Sequence, residues 1–515
     1  VTGGAILLYL AVSVPLALAL ASLLPALRPL PARLLWVAPL PGLAAALLVP
    51  AGTPAPLPGV LLGAGLLLDT AARLFLGFTT LLWLAAGLHA RRTISERPAP
   101  FAGFWLLTMA GNMLAILAVD VIGFYMGFAA LSLAAWGLVV HSGTAEARRA
   151  GRVTIRLAVL GETFLVMAFM LGAGTAGSIL ITDVRGAFAA APARDLAIGL
   201  LIAGFGIKAG LMPLHVWLPL AHPAAPVPAS AVLSGAIVKA GTLGLLRFLP
   251  LEMAIPGWGQ LLVVAGLGTA FLGALIGLMQ PRAKTALAYS TLSQMGLLCA
   301  VIGTGLAGPL DPQGLALLMA AVILYALHHG LAKGAMFLAV DALPGAPAWL
   351  KGVALLTALA IAGLPLTGGA LAKAALKPVL PDGTVAALVT LSAVTTTLLM
   401  LHAWRLIARA APKAAPGPRL PFLLLALAAP ALSWWVAGTL GLAADPLAPA
   451  KLFAAACPVA LGAAIALAAW RAGRAWPWRA PEGDLLLAYE ALGARLAGPA
   501  RWLAARLDGK AQPAS

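Results

Sequence analysis

One long apolar run after another, each of roughly eighteen residues or more, limits what this chain can become. Runs of that length cross the hydrocarbon core of a bilayer as helices. Backbone polar groups in lipid must pair internally, so a spanning chain is either helical or a closed barrel. The runs here are rich in Ala, Leu, Gly and Val and do not alternate, which excludes the barrel. Of 515 residues, 62% are hydrophobic and 10% charged, and the mean hydropathy is +1.00. The sequence predicts an all-α polytopic membrane protein.

Fifteen spans are predicted, near 4–26, 34–50, 62–90, 101–119, 121–141, 154–173, 195–218, 227–249, 259–279, 286–306, 314–340, 352–378, 384–404, 420–440 and 453–470. No basic stretch precedes residue 4, so the first run is taken as a span rather than a signal sequence. Arg28 and Arg33, Arg91, Arg92 and Arg97, Arg148, Arg149 and Arg152, Arg282 and Lys284, Lys351, then Arg405, Arg409, Lys413 and Arg419, and a tail with Arg471, Arg474 and Arg479 all fall on one side. The opposite loops are poor in Lys and Arg, with Arg185, Arg194 and Lys451 as exceptions. By the positive-inside rule the N-terminus is expected outside and the C-terminus in the cytoplasm of an inner membrane. The same rule accounts for the formal charge of +17 without any nucleic acid. Two separated cysteines, Cys299 and Cys457, exclude a Cys-rich iron–sulfur site and give no disulfide framework.

The stretch Ile202 to Leu249 carries the first chemistry. Lys208 lies in an apolar run that ends at Pro213, a Pro-rich turn follows, and Lys239 sits mid-way along the next run. A lysine deep in a span is costly unless it faces a wet or paired interior. A second span breaks at Gly363-Leu364-Pro365, with Lys373 and Lys377 following it. Charges on opposite sides of two broken spans are what inverted repeats produce. The expected organisation is 1–100 as three N-terminal spans, 101–249 and 259–404 as two inverted five-span repeats, 405–482 as C-terminal spans, and 483–515 as an amphipathic surface helix and tail.

Each intramembrane charge has a structural reading beside the functional one. Lys208, Lys239 and Lys373 are too central to snorkel easily, whereas Lys377, next to Pro378, reads equally as an interfacial anchor. His328 and His329 lie mid-span with Lys333 on the same face as His329. Buried histidines are often core residues, yet a group titrating near neutrality among lysines suits a proton relay. Glu162 is the one glutamate well inside a span, either a partner for a lysine or a residue near the interface. Asp69 and Asp120, near helix ends, read as structural caps or interface residues. The polar run Tyr289 to Gln294 either holds water or bonds across helices. Lysines and a histidine in series suit proton transfer, and nothing resembles a clamp for an organic substrate.

The segment GFGIKAGLMPLHVWLPLAHPAAPVPASAVLSGAIVKAGTLGLLRF resembles the antiporter-like, proton-translocating subunits of complex I, Mrp-type antiporters and membrane-bound hydrogenases. So do RAKTALAYSTLSQMGLL at 282–298, LHHGLAKGAMFL at 327–338 and GLPLTGGALAK at 363–373. Four motifs in order extend the likeness over about 60–405, with the large membrane subunit of hydrogenase-4 and formate hydrogenlyase nearest in wording. The resemblance implies fourteen core helices in two inverted repeats. It also implies that Lys208 is the central lysine, Lys239 the connecting lysine, His329 the eleventh-helix histidine and Lys373 the terminal residue. One departure stands out: the family's fifth-helix glutamate is Ala129 here. Glu162 is expected to replace it as partner of Lys208.

The expected function is a proton-translocating membrane subunit of an NADH-quinone oxidoreductase, hydrogenase or Mrp-type complex. It would work beside other membrane subunits and a peripheral redox arm or antiporter partners, with no cofactor and no metal on this chain. Sodium remains open as an alternative ion. The competing readings are the membrane half of an inorganic-carbon uptake pair and a structural subunit with a decayed channel, the latter favoured by Ala129.

Overall fold

A computed structural model of the chain describes residues 3–59, 63–190, 192–381, 383–412, 415–442, 446–473, 479–491 and 495. Helix α1 (Gly3–Ala21), α2 (Pro29–Leu34) and α3 (Leu40–Leu48) lead into an antiparallel hairpin, β1 (Thr53–Pro56) with β2 (Gly65–Leu68). Then come α4 (Thr70–Thr93), α5 (Pro98–Leu117), α6 (Val121–Val139), α7 (Ala145–Ala176), α8 (Ile181–Ala190), α9 (Arg194–Ala209) and α10 (Trp217–Ala224). Helix α11 (Val227–Val232) runs through a π-helical turn, Leu233–Ile237, into α12 (Val238–Phe248). The remainder is α13 (Pro256–Leu278), α14 (Ala283–Ala307), α15 (Pro312–Ala342), α16 (Ala348–Ala362), α17 (Gly368–Leu376), α18 (Thr384–Ala408), α19 (Arg419–Thr439) and α20 (Pro449–Arg471).

Among the described residues 12 helices are long and apolar enough to cross a membrane, α11 to α12 counting as one. The two broken spans are the pairs α9/α10 and α16/α17. Two expectations need correction. Residues 34–50 do not form one continuous span, because Pro39 and Pro41 interrupt the helical hydrogen bonds and leave α2 and α3 as short pieces. The span expected from 62 begins only at Thr70. Its first residues belong to β2, and Asp69 starts the helix by accepting from the Ala72 amide at 2.6 Å. Asp120 caps α6 in the same way, accepting from Gly123 at 2.7 Å and from Gly65 at 3.0 Å. Of the two readings the sequence left for these aspartates, the helix cap holds for both.

The apolar windows of α14 and of α11–α12 are wholly buried within the protein, whereas that of α20 is only 17% buried. The inner helices therefore carry polar groups that the rim cannot. Gln294 bonds to Thr396 at 3.0 Å and accepts from Tyr325, and Ser234 bonds to Thr291 at 2.8 Å. The polar run Tyr289 to Gln294 is thus tied across helices. Buried Arg247 closes the C-terminal end of α5, donating to Ala115, Ile116 and Ala118 carbonyls at 3.3, 2.7 and 3.0 Å.

The loops sort by end as their charges predict. Arg282 pairs with Glu146 at 2.6 Å and with Glu482 at 3.2 Å, and Arg149 with Glu490 at 3.2 Å. At the other end Arg185 pairs with Glu252 at 2.7 Å, and Trp258 donates to Asp195 at 3.3 Å.

Candidate functional site

Both broken spans end their first half at a glycine in the left-handed region, Gly210 (φ 81) and Gly363 (φ 103). Each stands just before the proline that stops the helix. The carbonyls left open there find side-chain donors from beyond the break. Trp217 Nε1 donates to the Ile207 oxygen at 2.8 Å, and Lys373 Nζ donates to the Ala362 oxygen at 2.8 Å. The second lysine is thereby held at the break itself.

Close helix contacts bring the charges together, each made possible by a missing side chain. Helix α7 meets α9 at Gly161 and Gly204; a Cβ added to Gly204 would stand 2.9 Å from the Gly161 oxygen. That contact places Glu162 in electrostatic reach of Lys208. Helix α12 meets α9 at Gly241, whose added Cβ would lie 2.6 Å from the Phe205 oxygen. The π-helical turn meets α15 at Gly235 and Gly330, where an added Cβ on Gly235 would lie 2.7 Å from the Gly330 oxygen. Across that contact Lys239 faces His329 and Lys333.

The buried groups are Glu162 and Lys208, each 6% exposed, Lys239 and Lys333 at 0%, His329 at 1% and His328 at 3%. Lys208 Nζ lies over two rings, 5.4 Å from the centre of Phe128 and 5.8 Å from that of Trp217. Lys239 donates to the Ser234 carbonyl within the π-helical turn, and Lys333 donates to the Leu287 carbonyl at 2.7 Å. Neither ring nitrogen of His329 has a hydrogen-bond partner among the described residues. His328 Nδ1 lies 3.4 Å from Ser433 Oγ, and its ring packs against Gly368 and Gly369 at the start of α17. That position puts His328 in electrostatic reach of Lys373 as well as of His329. Lys377 is different: it is exposed on the 3-10 turn Lys377–Val379, apart from the buried groups.

Two histidines join the site that sequence reasoning passed over. His222 is fully buried, stacks on Phe337 with ring centres 4.5 Å apart, and feels Lys333, Lys284 and Lys239. His215, also fully buried, lies in the turn after Pro213, and its Nε2 is 2.9 Å from Asp484 Oδ2. Tyr289 donates to the same carboxylate at 3.3 Å, and Tyr489 donates to the Pro213 oxygen at 2.6 Å. A strap at residues 480–490 therefore lies over the first break. The two histidines in LHVWLPLAH sit among prolines and read as turn residues, so their only signal was their spacing from Lys208.

The arrangement offers ionisable groups in series. Lys239, His222, His329, Lys333, His328 and Lys373 form one electrostatic network, and Lys208 with Glu162 forms another. The packing of α12 on α9 at Gly241 bridges the two.

Residues 118–399, more than half of the chain, match the family described as NADH:quinone oxidoreductase/Mrp antiporter, TM. Hydrogenase-4 component B of Escherichia coli (strain K12) is 33% identical over 301 residues, 54% of this chain and 45% of that protein. The chain thus spans under half the length of that relative. A chain of the Mrp complex from Dietzia sp. DQ12-45-1b superposes with a TM-score of 0.75 at 25% identity. That likeness covers 96% of this chain and 60% of the other. The membrane-bound sulfane sulfur reductase, an archaeal respiratory membrane complex, contains a chain with the same fold. It gives a TM-score of 0.71 at 20% identity, covering 89% of this chain and 99% of its own.

Proposed function

The chain belongs to the NADH:quinone oxidoreductase/Mrp antiporter family, and on that footing we propose that it moves protons across the membrane as one subunit of a larger complex. The path runs from Lys208, partnered by Glu162, through Lys239 and its neighbours His329, Lys333 and His222, to His328 and Lys373. Redox chemistry or ion exchange in partner subunits supplies the driving force. The C-terminus and the Arg-rich loops face the cytoplasm, the N-terminus faces outward, and the halves 101–249 and 259–404 are inverted repeats.

The observation that carries this reading is the burial of six basic groups, Lys208, Lys239, Lys333, His222, His328 and His329, in the interior of the protein. Ionisable side chains are costly there and persist where they face a hydrated or paired path. Ring nitrogens of His329 and His222, which have no hydrogen-bond partner among the described residues, are places where bridging water is favourable. Water would then carry protons between side chains too far apart to touch. In this account Glu162 reaches Lys208 from α7 and makes up for Ala129 on α6, so the carboxylate–lysine couple survives at a new address. Ala129 on its own favours a second reading, a structural subunit whose channel has decayed.

Proton uptake by vesicles holding the assembled complex separates the two. Lys239→Ala should abolish uptake while partner chains still assemble, and Lys377→Ala should leave uptake unchanged. Uptake untouched by Lys239→Ala would establish the structural reading.

A further inference from the structure

We propose that the niche between the α1–α2 connection, the end of α4 and the start of α5 binds one anionic phospholipid. Its phosphate would lie among Arg28, Arg33 and Arg91, and its acyl chains along the leucines that follow α1. The niche holds about 480 Å³, with Arg28, Arg33 and Arg91 on its walls and buried Leu35, Ala90 and Phe101 at its base.

The three guanidiniums arrive from separate places, the turn after α1, the last turns of α2 and the last turns of α4. Among the described residues none of them forms an ion pair. Gathering like charges around one apolar recess is unfavourable unless an anion joins them. Glu96, in the α4–α5 connection, does not line the recess, and its carboxylate acts on His141 instead. Guanidinium forks suit a phosphate, which they can grip with paired hydrogen bonds.

A second observation favours a lipid over a free phosphate or an acidic peptide. Leu20, Leu23, Leu24, Leu27 and Leu30 lead up to and past Arg28, and they are 56%, 69%, 54%, 42% and 43% exposed. Exposed leucines on both sides of a basic niche give this region the polarity of an amphiphile. Basic recesses between membrane helices recognise anionic headgroups in this way. The niche also belongs to the end of the molecule where the positive-inside pattern collects its arginines, and anionic lipid surfaces attract such clusters.

Native mass spectrometry of the full chain in mild detergent provides the test, with phosphatidylglycerol added in one series and phosphatidylcholine in the other. Wild type should retain one phosphatidylglycerol that the triple variant Arg28→Gln/Arg33→Gln/Arg91→Gln has lost. Each basic residue near an anionic lipid contributes about a fivefold factor, so the triple change should weaken retention on the order of a hundredfold. Arg92→Gln, outside the niche, should retain the lipid, and the single variant Arg33→Gln should fall between. A thermal melt confirms that the variants stay folded. Equal retention by wild type and the triple variant, or equal retention of phosphatidylcholine, would overturn the proposal. Displacement by millimolar glycerol 3-phosphate would also overturn it, because that result would mark a site for a free phosphate.

Discussion

Lys239 has none of its side chain exposed, yet its ammonium is bonded to the Ser234 carbonyl inside a π-helical turn. The lysine thereby gains a hydrogen-bond partner on its own helix. Lys208, Lys239 and Lys373 were legible in the sequence because a charge in an apolar run is conspicuous. His222 and His215 were not, since prolines around them make a turn the economical reading, and their burial depends on contacts that the sequence does not display. Arg247 was missed for another reason: it lies one residue from the end of α12, where an interfacial arginine is ordinary, and its three carbonyl partners come from α5 and the residue after it. Arg247→Ala should cost about 2–4 kcal/mol, because it leaves those carbonyls and Asp69 without their cation. A thermal melt in detergent checks this; an unchanged melting temperature would show that the cap is dispensable.

At the scale of elements, the long apolar helices and both breaks could be read directly, since Gly and Pro punctuate the runs. The prolines near 39 and the cap at Asp69 were present in the sequence too, but hydropathy alone averages over them. The docking of α7 on α9 could not be read, because it depends on which of many glycines face each other. Gly204→Leu should force α7 and α9 apart, as even a Cβ there would lie 2.7 Å from Leu165. Proton uptake should fall well below wild type while the helical content persists, as circular dichroism would report. Uptake at the wild-type rate would mean that the spacing of Glu162 and Lys208 is unimportant. The strap over the first break has its own signature. Burial raises the Asp484 carboxyl, but the hydrogen bond and charge of His215, the Leu485 amide and the Tyr289 hydroxyl together hold it below its ordinary value. A lowered folded value means that the contact stabilises the strap fully above about pH 4 and is lost as pH falls through the folded value. Hydrogen exchange at residues 479–491 should therefore show protection at pH 5 that is progressively lost as the solution is acidified below the ordinary carboxyl value. Protection independent of pH across that range would contradict the role given to Asp484.

For the whole molecule, the charge pattern of the loops carried more than the span count. It grouped Arg149, Arg282 and the tail at one end and Arg185 and Arg194 at the other. The contacts agree, although the number of continuous spans was overstated. The expected surface helix from 483 lies mostly outside the described residues; its start, up to residue 491, forms the strap. Helices α11–α12, α14 and α15 carry many of the buried polar groups and turn them towards one another inside the protein. On the proposed reading, Glu162 and Lys208 form the working carboxylate–lysine couple at one end of a single proton path. Proton uptake by vesicles containing the whole complex, compared for wild type, Lys208→Ala and Glu162→Gln, tests it most directly. The account predicts loss of uptake in both variants with partner chains still assembled. Full uptake in Glu162→Gln beside loss in Lys208→Ala would contradict the couple, and full uptake in both would contradict the path.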